Sequence, residues 1–214
     1  SSASLETIYQ RLPDILAQSL DFPIAWIGLH DPASNEFVFL GRNGILPDGS
    51  SLRLPADRTV SGMVIENGKP IVDIDCRSRQ EPGYAVLHEL QVTTLVVVPV
   101  MLPDRVWGTL GIADQHKRPG AHALVNTLQV LANHLTQEIG RSQAERTIAD
   151  REAELSAIYE NAPLVMLLID KDQTVRKVNH AAVRFAEVSA EQMVGKRGGE
   201  ALRCLYALND PRGC

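Results

Sequence analysis

A long stretch without helix-breaking residues, from Pro119 to about Asn161, most constrains what this chain can fold into. After Pro119 it contains no proline and a single glycine, Gly140. Its first half carries apolar residues at intervals of three or four, which is the spacing of one helix face. These residues are Leu124, Leu128, Leu131, Leu135 and Ile139. The pattern predicts one long helix that leaves one domain and enters another.

The second half of this helix is strongly polar, and residues 141–154 read RSQAERTIADREAE. Apolar residues return at Ile148, Leu155 and Ile158, spaced seven and three apart, as in a short coiled coil. Residues 141–160 are therefore predicted to be a helical linker that carries a signal. Together with Ile139, these side chains would pair with a second copy in a homodimer. A passive spacer with solvated charges is the alternative.

Composition disfavours several classes of function. The 214 residues suffice for one large domain or two small ones. The net charge of -5 does not favour binding to nucleic acid or to an anionic membrane. The most apolar run, 94–102, is far shorter than the roughly 20 residues that a bilayer requires. We therefore expect no nucleic-acid partner, no membrane contact by this fragment and a cytoplasmic location.

The residues before the long helix alternate between helix and strand patterns. Aromatic and β-branched runs joined by turn residues predict two hairpins, and caps such as Thr59 and Gly68 delimit a short helix. The predicted elements are a helix at 4–20, strands at 24–30 and 36–41, an extended piece at 50–54, a helix at 60–66, a strand at 70–74, a helix at 84–90 and strands at 94–101 and 106–113.

This order of elements, together with two phrases, resembles the GAF domain, a family of small-molecule sensor folds. The phrases are VSGMVIENGKPIVDID at 60–75 and TTLVVVPVMLPDRVWGTLGIAD at 93–114. The resemblance implies a GAF-like antiparallel sheet with flanking helices over residues 1–140. It also implies that this domain senses a small molecule.

After the linker, three phrases resemble the first half of a PAS domain. They are IYENAP at 158–163, TVRKVNHAAVRF at 174–185 and VSAEQMVGK at 188–196. The family fold is a five-stranded antiparallel sheet with helices over one face, of which residues 161–214 would supply the N-terminal part. The fold class expected for the whole chain is α+β. On family grounds the chain is expected to be a fragment of a longer signalling protein, such as a sensor histidine kinase.

The resemblance to GAF domains directs the search for a ligand site to the space between the sheet and its covering helices. Such a pocket combines apolar walls with a few placed polar groups. The apolar candidates are Trp26, Phe39, Val64, Ile71, Val98 and Leu110, and the polar ones are Arg58, Asp73, His88 and Thr94. We expect an unknown small ligand to contact Trp26, Phe39, Arg58, Val64, His88 and Val98. The alternative is a packed core without a ligand, and the pattern typical of cyclic-nucleotide-binding GAF domains is not found.

The three cysteines are an odd number for a disulfide framework. Cys204 and Cys214 lie in a tail that resembles part of some PAS domains in bacterial and archaeal sensors, where further cysteines follow. Thiolates of this kind suit Zn²⁺ or an iron–sulfur cluster, although two thiols leave a tetrahedral site incomplete. The alternatives are a buried and a terminal thiol without a metal, or a disulfide between the two.

Other ligands and activities match the sequence less well. Cys76 would be the attachment point of a bilin, and His88 or His180 the axial ligand of a haem. The residues around Cys76 do not match the chromophore pattern, and no metal-spaced histidine pair occurs. Phosphate-loop, zinc-protease and hydrolase motifs are not found, and a GAF-type methionine sulfoxide reductase requires several pocket cysteines. We therefore expect a non-enzymatic sensory module whose cofactor is unknown, with a ligand-free dimerisation module as the alternative.

Overall fold

The computed structural model describes residues 5–44, 53–204 and 207 of the chain. The chain divides into two compact units, the first ending at Gln143 and the second beginning at Ala144. This division lies within one long helix, and each unit has its own hydrophobic core.

The first unit is built on a six-stranded antiparallel sheet. Its strands are β1 (Ile24–Asp31), β2 (Glu36–Asn43), β3 (Arg53–Pro55), β4 (Ile71–Asp73), β5 (Thr94–Leu102) and β6 (Arg105–Asp114). Their order across the sheet is β3-β2-β1-β6-β5-β4. Both predicted hairpins form, and they join through the pairing of β1 with β6. The predicted α+β class with a GAF-like antiparallel sheet is confirmed.

Helices cover both faces of this sheet. They are α1 (Leu5–Leu20), α2 (Val60–Asn67), α3 (Ala85–Glu89) and α4 (Leu124–Asn161). Because side chains alternate along a strand, β5 contributes Val96 and Val98 to the face that packs on α1 and α4. The neighbouring Leu95 and Val97 belong to the opposite face, which packs on α2 and α3.

The two ends of α2 follow directly from its sequence. Thr59 precedes the helix and its hydroxyl accepts a hydrogen bond from the Gly62 N–H at 2.9 Å, which satisfies one free donor of the first turn. Gly68 ends the helix in the left-handed region, with φ of 64°, where a glycine carries no steric cost. These caps fix the position of α2 over the sheet.

The long helix α4 begins at Leu124 rather than Pro119, because residues 119–123 form a 3-10 turn. Its first half is buried on the sheet through Leu128, Ala132, Leu135 and Ile139. Ile139 was predicted to contact a partner, but it is only 2% exposed and belongs to the core of the first unit.

Beyond that core, three apolar side chains of α4 lie on its surface. Ile148 is 57% exposed, Leu155 67% and Ile158 61%. They belong to the second unit, which begins at Ala144. The predicted polar linker with apolar residues at coiled-coil spacing is therefore helical, and these three side chains are accessible within this chain.

The second unit adds a two-stranded antiparallel sheet and three short helices. They are β7 (Leu167–Ile169), β8 (Val175–Val178), α5 (His180–Ala186), α6 (Ala190–Met193) and α7 (Gly198–Ala201). The buried side chain of Asn179 organises this unit. Its Oδ1 accepts hydrogen bonds from the backbone N–H of Met166 and of Ala182, both at 3.0 Å, and its Nδ2 donates to the Leu164 carbonyl at 2.8 Å. One side chain thus joins the segment before β7 to the first turn of α5.

Candidate ligand-binding site

An apolar cavity lies between the sheet and the helices α2 and α3 of the first unit. Its volume is about 40 Å³, room for a few water molecules. The sheet contributes Ile24, Trp26, Phe37, Phe39, Leu54 and Ala113; the start of α2 contributes Thr59, Val60 and Ser61; and the segment around α3 contributes Gly83, Val86, Leu87 and Leu90. The cavity therefore has mostly apolar walls and two hydroxyl groups.

Two residues of the wall, Trp26 and Ser61, belong to a short chain of hydrogen bonds that ends at Thr109 behind the wall. The indole N–H of Trp26 donates to the hydroxyl of Ser61 at 3.2 Å, and the hydroxyl of Thr109 is 2.9 Å from the same oxygen. All three residues are buried. The chain joins β1 and β6 to α2 through Ser61, which is one of the residues of the cavity wall.

The indole of Trp26 lies across the neighbouring strand at Gly111, its partner in the pairing of β1 with β6. A Cβ atom at Gly111 would lie 2.2 Å from the Cζ2 atom of the indole, far inside contact distance. Gly111 is therefore the residue that lets Trp26 lie flat against the sheet beside the cavity.

Only some of the residues predicted to contact a ligand come together here. Trp26 and Phe39 line the cavity, and Val64 is buried in the same hydrophobic cluster without reaching the wall. Val98 lies in the cluster on the other face of the sheet, because it alternates with Val97 along β5. Leu110 is on that other face as well. Val98 therefore packs on the α4 side and is separated from the cavity by the sheet.

The two charged candidates lie outside the cavity wall. Arg58 is exposed, at the end of a 3-10 turn that precedes α2. His88 is exposed on α3, and its Nε2 is 3.0 Å from the carbonyl oxygen of Cys76. His88 therefore contacts the turn that precedes α3, while Val86 and Leu87 of the same helix face the cavity.

Asp73 holds the segment that leads into α3. Its buried carboxylate accepts hydrogen bonds from Arg79 Nε at 2.5 Å and from the Tyr84 hydroxyl at 3.2 Å. Burial and the nearby Asp73 carboxylate raise the pKa of Tyr84. Asp73 thus positions the turn that carries Gly83 to the cavity wall.

Cys76 is fully buried and packs in the hydrophobic cluster of the α2–α3 face. Burial, together with the charge of Asp73, raises the pKa of its thiol to about 12. The thiol is therefore protonated and shielded at neutral pH. It is not among the described residues that line the cavity.

The loop between β6 and α4 is held by a second buried carboxylate, Asp114. Its Oδ2 accepts from Arg118 Nε at 2.6 Å, and its Oδ1 accepts from the His116 backbone N–H at 2.8 Å. Burial opposes ionisation of this group, but the bonds from His116 and Arg118 hold the pKa of Asp114 below its usual range. Thr94, a predicted polar wall residue, instead accepts from the Arg118 N–H at 2.9 Å.

Comparison with family models identifies the first unit. Residues 2–139, well over half of the chain, match the model of the GAF domain. The chain belongs to the GAF domain family. The cavity described above is thus a cavity of its GAF domain, and the resemblance predicted from the sequence is confirmed.

The GAF domain is followed by a match to the model of the PAS domain over residues 153–213. One curated relative is the methanogenesis regulatory histidine kinase FilI of Methanothrix harundinacea (strain 6Ac), 26% identical over 106 residues. The match takes in 49% of this chain but 12% of that protein. The chain therefore spans a small part of the length of this relative.

Solved structures show the same fold as the GAF domain here. The GAF domain of an Acinetobacter phosphoenolpyruvate-protein phosphotransferase has a TM-score of 0.58 at 17% identity, covering 69% of this chain and 89% of that one. Free methionine-R-sulfoxide reductase from Neisseria meningitidis, in complex with its substrate, has a TM-score of 0.59 at 19% identity, covering 68% of this chain and 83% of that one. The phycocyanobilin-bound GAF domain of a cyanobacterial phytochrome has a TM-score of 0.57 at 17% identity, covering 67% of this chain and 88% of that one.

The second unit contains the candidate metal ligands. Cys204 is half-buried, and its backbone N–H donates to the Gly199 carbonyl at 2.8 Å, while Cys214 lies outside the described residues. His180 is exposed at the start of α5, with its Nδ1 3.1 Å from the Glu160 carbonyl oxygen. Among residues 5–44, 53–204 and 207, no group of three or more His, Cys, Asp or Glu side chains is placed to hold a metal ion. Nor does any helix in these ranges have the length and apolar character needed to span a membrane.

Proposed function

We propose that this chain is the sensory part of a signalling protein, and that its GAF domain binds a small molecule in the cavity beneath α2 and α3. GAF and PAS domains are sensory modules, and their succession here supports the signalling role. The observation that carries the ligand proposal is the cavity itself, with apolar walls and two hydroxyl groups. Two of the similar GAF folds hold a molecule, phycocyanobilin in one and a substrate in the other.

The size of the cavity restricts the ligand. Its volume of about 40 Å³ is well below the roughly 300–1,000 Å³ of typical ligand pockets. The ligand is therefore small, and a larger one binds only when α3 moves outward. Outward movement of α3 changes its packing on the sheet.

The end of β6 offers a route from the cavity to α4. Ala113 lines the cavity, and the next residue, Asp114, holds the loop whose residues His116 and Arg118 lead into the long helix. A shift of β6 at Ala113 would change these bonds and so the first turn of α4. Because one curated relative is a histidine kinase, we propose that this sensor regulates a histidine kinase of a two-component system.

Fluorescence tests the ligand proposal. The chain has two tryptophans, so the Trp107→Phe variant leaves Trp26 as the only indole, at the cavity wall. We expect fragments from a small-molecule library of mixed charge to change its emission in a saturable way. Val86→Phe, which fills the cavity from α3, should abolish the change. A library without saturable effects, or binding that persists with Val86→Phe, would refute the proposal.

A second candidate function is dimerisation. The observation that favours it is the exposed stripe of Ile148, Leu155 and Ile158 on α4, since apolar side chains at this spacing are typical of a coiled-coil seam. A homodimer through this stripe is compatible with a ligand-bound GAF domain. A chain that serves only dimerisation needs no ligand.

A further inference from the structure

The cavity wall carries no charged side chain among the described residues. Two of the nearby charged groups are paired: Asp73 is bonded to Arg79 and Tyr84, and Arg53 is paired with Asp31 at 3.2 Å. Arg58, beside the wall residue Thr59, is exposed and does not line the cavity. A charged ligand would lose its hydration without gaining a partner, which is costly in an apolar site. The wall therefore selects an uncharged molecule.

The aromatic side chains of the wall favour a flat molecule. Phe37 and Phe39 are in edge-to-face contact with ring centroids 5.0 Å apart, and both line the cavity with Trp26. Ring faces and edges attract a further planar π system in offset or edge-on arrangements. Three aromatic residues in one small cavity thus prefer a planar ligand to a branched aliphatic one.

The hydroxyl groups at the wall and behind it differ in whether a proton remains for a hydrogen bond to a ligand. Thr59 donates to the Ala56 carbonyl at 3.0 Å and accepts from Gly62, so its proton is used in capping α2. Ser61 and Thr109 have two hydroxyl protons between them but share one hydrogen bond, and the proton of the Trp26 indole is donated to Ser61. One hydroxyl proton of the pair is therefore left over. When Thr109 donates to Ser61, that proton is on Ser61, which is a residue of the cavity wall.

We infer that the ligand of this cavity is a small, uncharged, planar molecule with one hydrogen-bond acceptor, such as a carbonyl oxygen, that receives the hydroxyl proton of Ser61. This inference rests on the proposed function, and it names the chemical class of the ligand. Binding orients the molecule because its acceptor faces α2 and its apolar part faces Phe37 and Phe39.

A six-membered ring enters only with a movement of α3, because a cavity that binds benzene measures about 150 Å³. Such a movement of α3 must break the contact between His88 and the Cys76 carbonyl, but the helix itself is short. It has five residues, no side-chain cap at its start and an exposed outer side at His88 and Glu89. Its contribution to the wall consists of the aliphatic side chains of Val86 and Leu87.

Three probes separate the features of this class. Acetophenone is neutral and planar with a carbonyl acceptor. Cumene is similar in size but lacks the acceptor and has a tetrahedral carbon in its place, and benzoate adds a negative charge. Dissociation constants are measured by Trp26 fluorescence in the Trp107→Phe background. We expect acetophenone to bind about tenfold more tightly than cumene, the factor given by one hydrogen bond. Benzoate should show no saturable binding.

Two variants test the role of Ser61. Ser61→Ala should lower the acetophenone-to-cumene ratio, although the Trp26 N–H that it frees retains part of the preference. Thr109→Val, which leaves the Ser61 hydroxyl in place, should keep or increase the ratio. The ratio compares two ligands on the same variant, so a loss of stability affects both affinities and does not by itself change the ratio. Circular dichroism confirms that each variant is folded. Equal affinities for acetophenone and cumene in the parent, or an unchanged ratio in Ser61→Ala, would overturn the inference. Tighter binding of benzoate would do so as well.

Failure of this inference and failure of the proposed function are distinguishable. Saturable cavity binding by fragments of another class, blocked by Val86→Phe, retains the ligand site and rejects the class named here. Failure of every fragment to bind in the cavity rejects both.

Discussion

Trp26 on β1 donates its indole N–H to the hydroxyl of Ser61 on α2 at 3.2 Å, and both side chains are buried. This bond ties the cavity-covering helix to the centre of the sheet. A buried indole N–H without an acceptor is costly, so the bond contributes to the stability of the GAF domain as well as to the polarity of its cavity.

Ser61→Ala should destabilise the GAF domain, because it leaves the Trp26 N–H without its acceptor. We expect the free energy of unfolding to fall by about 1–3 kcal/mol in urea denaturation. The matched control is Ser19→Ala, an exposed serine of α1 in the same domain, for which a change within about 0.5 kcal/mol is expected. Equal effects of the two substitutions would contradict this role of the Trp26–Ser61 bond.

Two glycines should respond to alanine in opposite directions. Gly111→Ala brings a methyl group against the Trp26 ring and should cost about 1–3 kcal/mol of stability. Gly140→Ala, within α4, meets no atom within 4 Å and should stabilise by about 0.5–1 kcal/mol. Thermal unfolding of both variants and of the parent measures the two changes in stability. Stabilisation by Gly111→Ala would show that the indole does not lie against β6.

The raised pKa of Cys76 predicts a loss of stability at alkaline pH. The thiol ionises near pH 9.0 in the unfolded chain but near 12 in the folded one. The folded state therefore keeps the thiol protonated to a higher pH than the unfolded state does. The free energy of unfolding falls as the pH rises above 9. This group alone should remove about 1.4 kcal/mol between pH 8 and pH 10.

Urea denaturation at the two pH values tests this, with Cys76→Ala as the comparison. The variant should lose about 1.4 kcal/mol less than the parent over the same interval, although Tyr84 adds its own alkaline loss in both proteins. The same loss in both would mean that the thiol is accessible in the folded state.

Charges placed on the exposed stripe of α4 should prevent dimerisation. Leu155→Asp combined with Ile158→Asp puts two carboxylates into the proposed seam, and light scattering should then report the mass of a monomer. Ala153→Asp combined with Ala157→Asp adds the same charge to the opposite side of the helix and serves as the control. Unchanged dimer mass in the first variant would exclude α4 from the interface, and a monomeric parent would exclude the homodimer.

Much of the GAF domain could be predicted because its elements have local chemical signals. The helix α2 is an example, since Thr59 and Gly68 act at its two ends as their residue types suggest. The two hairpins likewise follow from apolar runs separated by turn residues. Long-range pairing of β1 with β6 required the resemblance to the GAF family as well.

The cavity wall was harder to predict because β5 is buried on both faces. Residues 94–100 are all buried, so no polar alternation indicates which valine belongs to which face. Val98 was therefore assigned to the cavity, whereas Val97 lies on that side. Arg58 and His88 belong to turns and helices too short for a periodic pattern to orient their side chains.

Ser61 was missed, although a signal for it exists in the sequence. A tryptophan in a strand that is otherwise apolar needs an acceptor for its N–H when it is buried. Ser61 supplies that acceptor from 35 residues away, in a helix that otherwise reads as apolar. Sequence reasoning predicts the need for such a partner but not its position.

Hydrogen exchange with and without acetophenone tests most directly whether the cavity is a sensor that reaches α4. With acetophenone bound, we predict slower exchange in α2 and α3 and a changed rate at residues 115–124, where Asp114 and Arg118 hold the start of the long helix. Asp114→Asn should keep the first change and lose the second. A change confined to α2 and α3 in the parent, or no change in any amide, would contradict the account.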